Sequence, residues 1–152
     1  MSLLGLRLTL GWLMFYAGIT KVVDPEWSAA GFLNNASTFP GFYAWFAQPD
    51  ILPLTNFLNE WGLTVVGAML IAGIGVRFAS FLGVAFMLLY YFPSLQFPYA
   101  GEHGYVVDDH LIYALAFLAL AAFRAGRVWG LEKWCLNLPL CIRYPLLRRM
   151  LG

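Results

Sequence analysis

The sequence predicts an all-α fold: an integral membrane four-helix bundle in one domain, 1–152, with both termini cytoplasmic. Three observations carry that expectation. Of 152 residues, 61% are hydrophobic and only 11% charged, with a mean hydropathy of +0.71. A soluble domain carries about 25% charged residues, so most of this surface must face lipid. Four apolar segments recur along the chain, separated by breaks of proline, glycine or charge. Finally, Arg7, Arg77, Arg124, Arg127 and the C-terminal arginines fall at one end of these segments, and Lys21 at the other. The positive-inside rule puts the arginine end in the cytoplasm, which makes this a multi-pass protein of the inner membrane.

The first span covers about 2–23, enough to cross a hydrocarbon core of about 30 Å. Arg7, Gly11, Met14, Gly18 and Lys21 fall on one stripe, small in the middle, where a neighbouring helix can approach closely. No small-x-small cleavage pattern precedes Lys21, so the segment reads as a retained helix rather than a signal peptide. Arg7 reads equally as a snorkelling end charge or as the ion-paired end of a packed face. For Lys21 the second reading is favoured, with Glu60 as its partner. Asp24-Pro25-Glu26-Trp27 ends the helix at the interface. Residues 28–53 are too polar and proline-broken to span. Phe32, Phe39, Phe42, Tyr43, Trp45 and Phe46 predict one or two short interfacial helices there, a lid over the bundle. Asn35-Ala36-Ser37 within it is a glycosylation sequon, a weak pattern.

The second span, 54–74, presents Glu60, Thr64, Gly67 and Ile71 on one small, polar face. Gly73, Gly75 and Arg77 make a very short turn, so the third span, 78–97, runs antiparallel to it. Pro93 kinks or ends that span, and Tyr90, Tyr91 and Phe92 form an aromatic belt. Residues 98–107 read as a loop, with His103 an ordinary loop residue. The fourth span, 109–125, is closed by Arg124 and Arg127. The tail, 130–152, mixes Lys133, Arg143, Arg148 and Arg149 with apolar residues, an amphipathic segment suited to an anionic leaflet. Cys135 and Cys141 lie six apart in it, neither a redox pair nor a zinc set, and read as structural or incidental thiols.

Lys21, Glu60 and His110 each fall about fourteen residues from the inner end of their spans, roughly 21 Å. This predicts a buried polar layer near the outer face, in which Lys21 pairs with Glu60 and Asp108 or Asp109 orients His110. Tyr113, one turn deeper, would donate a hydrogen bond into the same space. A lone charge at such depth costs at least about 2.5–3.5 kcal/mol, so partners are required. Such a layer under an aromatic lid suits a quinone head group, whose reduction needs protons at two carbonyl oxygens. His110, Asp109 and Glu60 are the candidate proton-handling residues; Lys21, Tyr113 and Trp27 are the candidate binding residues. The same residues read equally well as salt bridges that fix helix register. Asp108 and Asp109 also suit an N-cap and first helical turn.

Other chemistry is excluded by composition. One intramembrane histidine cannot supply paired haem ligands, and no Cys/His cluster suggests zinc or iron–sulfur, so neither metal nor haem is expected. There is no Walker loop or dinucleotide fingerprint. No basic patch with stacking aromatics lies outside the apolar spans, which argues against nucleic acid. Electrons must come from a partner or a soluble donor.

The segment Gly11-Trp12-Leu13-Met14-Phe15-Tyr16-Ala17-Gly18-Ile19-Thr20-Lys21 resembles the first helix of the DoxX/DoxD family. Glu60-Trp61-Gly62-Leu63, with Gly67 and Gly75-Val76-Arg77, resembles its second helix and turn. Asp108-Asp109-His110, Ala125-Gly126-Arg127 and Trp129-Gly130-Leu131 resemble its last helix and exit. The resemblance extends to about Lys133 and implies a four-helix membrane protein. It also implies the activity of DoxD-type members, a subunit of thiosulfate:quinone oxidoreductase that passes electrons from thiosulfate to quinone beside a second, DoxA-type subunit. No segment here resembles DoxA. The expected function is therefore a quinone-interacting subunit with the lipid bilayer and a second oxidoreductase subunit as partners. The alternatives are a non-catalytic anchor or assembly subunit of a redox complex, and a small transporter. For transport, four helices without an inverted repeat are few, unless a homo-oligomer supplies the missing walls.

Overall fold

The computed structural model describes residues 1–100 and 104–132. Helix dominates it: α1 Ser2–Val23, α2 Ala30–Asn34, α3 Pro40–Phe46, α4 Leu52–Ala72, α5 Val76–Ser94 and α6 Asp109–Ala122, then a 3-10 turn at Ala125–Arg127. Two of these, α1 and α5, are long and apolar enough to cross a membrane. Helix α4 is as long but interrupted by Asn56, Asn59 and Glu60, and α6 is a shorter apolar helix of 14 residues.

Small residues decide which helices meet. The stripe Arg7, Gly11, Met14 and Gly18 is the buried face of α1, and it packs along α4. A Cβ on Gly67 would strike the backbone of Phe15 and Gly11, and one on Gly18 would strike Thr64 and the Glu60 carbonyl. Side chains larger than hydrogen would hold these two backbones apart. Gly83 of α5 makes room in the same way for the Phe117 ring of α6. Leu10, Met14, Leu63, Val66, Leu70, Val76, Ala79, Met87, Phe117 and Leu120 fill the space between the long helices.

Only Gly73-Ile74-Gly75 separates α4 from α5. Both glycines are left-handed, φ 69° and 61°, and the Gly73 and Ile74 amides donate back to Met69, which closes α4. Pro93 sits in the last turn of α5, where the helix stops within one residue. At α6 the Asp108 carboxylate accepts from the Leu111 amide at 3.1 Å, an N-cap. The predicted span 109–125 ends earlier, because Arg124 turns left-handed (φ 49°) just after the Phe123 C-cap.

Residues 28–53 hold two short helices, α2 and α3, around a second small core of Ala29, Leu33, Ala36 and Tyr43, backed by Trp27, Phe46 and Phe92. The end of the predicted span 78–97 and part of the predicted loop 98–107 are strand: Leu95–Gln96, Tyr99–Ala100 and Gly104–Tyr105 form an antiparallel three-stranded sheet, β1-β2-β3. Strands of two residues leave no period-2 signature in a sequence, which is why the all-α expectation missed them. His103, Cys135, Cys141 and the tail beyond Glu132 lie outside the described residues.

Candidate functional site

A cavity of about 450 Å³ lies between the lid helices and the facing ends of α1, α4 and α5. This is within the usual range for a small-molecule site, about 300–1,000 Å³. Phe32, Leu33, Phe46, Leu54, Leu58, Phe86 and Leu89 give it apolar walls, while Lys21, Asn59 and Tyr90 bring polar groups to one part of it. Lys21 Nζ donates to Asn59 Oδ1 at 2.8 Å and to Tyr90 Oη at 3.4 Å, and Asn59 Nδ2 donates to Tyr90 Oη at 2.6 Å. The ammonium also lies 4.6 Å from the Trp27 ring centre and 5.4 Å from that of Tyr90, within cation–π range. With Tyr90 Oη accepting twice, its own hydrogen has no acceptor among the described residues.

Local sequence explains this placement. The Gly18 contact with Glu60 and Thr64 fixes the register of α1 on α4, so that Lys21, nearly one turn on, faces Asn59. The lid is held down by polar bonds: Asn56 Oδ1 accepts from the Ala29 amide at 3.0 Å, and Tyr43 Oη donates to the Leu89 carbonyl at 3.2 Å. Thr55 Oγ1 adds a bond to the Phe46 carbonyl at 3.1 Å. Burial pushes the Tyr43 hydroxyl above its ordinary pKa, so it stays a neutral donor.

Behind Tyr90 stands a histidine–carboxylate pair. The His110 ring centre is 6.0 Å from that of Tyr90, and His110 Nδ1 lies 2.7 Å from Asp108 Oδ2. Asp108 thus serves the helix cap with one oxygen and the imidazole with the other.

The sequence-derived candidates separate accordingly. Lys21 and Trp27 line the cavity, and His110 reaches it only through the Tyr90 ring. Lys21 does not form the predicted direct pair with Glu60; its partner is the preceding residue, Asn59, and Glu60 is half-buried and acts on the ammonium only at longer range. Neighbours on a helix point about 100° apart, and the Gly18 contact turns residue 59, not 60, towards Lys21. Of the two aspartates, Asp108 holds His110; Asp109 is exposed and makes no ion pair among the described residues. Tyr113 packs against the apolar core and makes no hydrogen bond there through its hydroxyl among the described residues, so it does not donate into the polar cluster. Asn59 and Tyr90 were missed: one stood beside a more conspicuous carboxylate, the other inside a run that read as an aromatic belt.

At the opposite end of α1, Arg7 is only 1% exposed, so it does not snorkel. It donates to the carbonyls of Ala125 at 2.8 Å, Val128 at 2.9 Å and Trp129 at 3.4 Å. Glu132 is buried close by, with Arg127 Nε 3.5 Å from its carboxylate. Among the described residues no group of three or more His, Cys, Asp or Glu could hold a metal ion.

No curated protein and no solved structure matches the chain. The DoxX family model matches residues 2–93. That stretch contains every residue that lines the cavity, Lys21 through Tyr90, and excludes Asp108 and His110. With more than half its length matched and two helices apolar enough to enter a bilayer, this membrane protein belongs to the DoxX family.

Proposed function

We propose that the chain is the quinone-interacting membrane subunit of an oxidoreductase, a four-span bundle with both termini cytoplasmic and the cavity towards the outer face. The observation that carries this reading is the cavity itself: aromatic and aliphatic walls, with an ammonium, an amide and a phenol gathered in one part. That combination fits a flat ring bearing two carbonyl oxygens on an apolar tail. A bound quinone would supply two-electron, two-proton redox chemistry.

In this reading Tyr90 Oη donates its uncommitted hydrogen to a head-group oxygen, and Lys21 Nζ offers positive charge and a second proton. Asn59 is a positioning residue that holds both. Trp27 and Phe86 bracket the ring. The His110–Asp108 pair, part exposed, exchanges protons with water beside Tyr90. Glu60 acts on Lys21 from beyond contact distance, Asp109 stays outside the cavity wall, and Tyr113 packs in the core. The thiosulfate-linked reaction belongs to this proposal through the DoxD resemblance, with a second subunit delivering the electrons.

The test is to purify the chain in detergent, extract it with organic solvent and look for quinone by mass spectrometry. Near-stoichiometric quinone in the wild type, lost in Lys21→Met, is the expected result. A sample with no quinone but a retained partner protein would instead identify an anchor subunit.

A further inference from the structure

Lys21 is an ammonium inside an apolar cavity with no carboxylate against it. Its direct partners are neutral, the Asn59 amide and the Tyr90 hydroxyl, and its charge is otherwise met only by the faces of Trp27 and Tyr90. Glu60 acts from beyond ion-pair distance, and the carboxylate of Asp108 is engaged by His110 on the far side of Tyr90. Tyr43, the remaining titratable group in the wall, has given its hydrogen to Leu89. Two of the three ammonium hydrogens are thus used, and the third has no acceptor among the described residues. Tyr90 has one uncommitted hydrogen as well. A half-buried cation in an apolar cavity with spare donors is electrostatically incomplete, and the group that completes it is an anion with an apolar body. The aromatic walls favour a ring over a flexible chain for that body.

We propose that the cavity binds its ligand as an aromatic oxyanion, a phenolate-type oxygen held between Lys21 Nζ and Tyr90 Oη. This rests on the reading of the cavity as a quinone site and adds the form it prefers: the reduced, singly deprotonated ring carries such an oxygen, whereas the oxidised ring is neutral. Only a proton moves on binding. The phenol O–H bond breaks, its electron pair stays on oxygen, and the proton passes to water. Each tenfold preference for the anion over the oxidised form raises the two-electron potential in the site by about 30 mV.

The experiment uses the full chain in detergent micelles with 4-nonyl-2-nitrophenol, whose phenolate absorbs visible light, and its methyl ether as a neutral twin. Relative to empty micelles, the bound phenol should ionise at a pH lower by at least about one unit, which is about tenfold tighter binding of the phenolate. Lys21→Met should remove the shift and Lys21→Arg should keep it. The wild-type comparison of phenol with ether needs no variant. If the ether quenches tryptophan fluorescence and the phenol shows no shift, the oxyanion is overturned and the quinone site stands. If neither probe binds, the cavity reading falls with it. Displacement of the ether by oleate, again without a phenolate shift, would overturn the proposal in favour of a lipid carboxylate.

Discussion

Asn59 joins Lys21 and Tyr90 through bonds of 2.8 and 2.6 Å, both shorter than the direct Lys21–Tyr90 bond of 3.4 Å. Replacing it with leucine removes two hydrogen bonds, one to a charge, and leaves the ammonium only the longer Tyr90 bond and the ring faces. Asn59→Leu should therefore destabilise the protein by about 2–3 kcal/mol, measured by denaturation in detergent, and abolish quinone retention. Asp108 separates two roles at one residue. Asparagine is as good an N-cap as aspartate, so Asp108→Asn should stay within a few tenths of a kcal/mol of wild type, whereas Asp108→Ala should lose about 1 kcal/mol. Equal losses in both would mean that the imidazole contact, not the cap, carries the stability. At this scale the sequence was half legible. It marked Lys21, Trp27 and His110 because charged and amphipathic residues are conspicuous in apolar segments. It pointed to Glu60 over Asn59 because carboxylate with ammonium is the stronger pairing rule. The rotation that decided between them depends on where two glycine-lined backbones touch.

The contact of α1 with α4 is governed by what glycine omits. Gly67→Leu would drive a side chain into the backbone of Phe15, which no rotamer can avoid, and should cost at least about 1–3 kcal/mol and lower the yield of folded protein. Gly5→Ala on the same helix meets nothing within 4 Å and should raise stability by about 0.5–1 kcal/mol. Thermal unfolding of the two variants side by side checks both signs. Helix limits were readable where glycine or proline punctuates the chain, as at Gly73, Gly75 and Pro25. They were not readable at Arg124, whose left-handed backbone ends the last helix early without any residue that announces it. The sheet around Tyr99 was equally silent.

Across the whole molecule the ends of α1 sit in different surroundings, a polar cluster in a cavity at Lys21 and a ring of backbone carbonyls at Arg7. Burial pushes the nearby Glu132 carboxyl above its ordinary pKa of 4.5, and Arg127, Arg124 and Arg7 draw it only part of the way back. An acid raised on folding stabilises the folded chain fully below its unfolded value and loses that contribution as pH rises through its folded value. Unfolding temperatures should thus decline upward from about pH 4.5, and Glu132→Gln should flatten the decline. The proposed cytoplasmic C-terminus carries its own test: a C-terminal green fluorescent protein fusion should glow, and an alkaline phosphatase fusion at the same point should be inactive. The opposite pattern would invert the proposed orientation.

Arg7 also sets an order of events during synthesis. It leaves the ribosome well ahead of its acceptors at Ala125, Val128 and Trp129, which follow 118 or more residues later. At about 5–20 residues per second, the guanidinium waits on the order of ten seconds for its carbonyls. Through that interval the nascent first helix is a poor lodger in lipid, dependent on the insertion machinery or on a shallow position. A nonsense mutation between the end of the first helix and residue 125 would leave the wait without end, and quality-control proteases would meet an intact first helix that had never become a stable one.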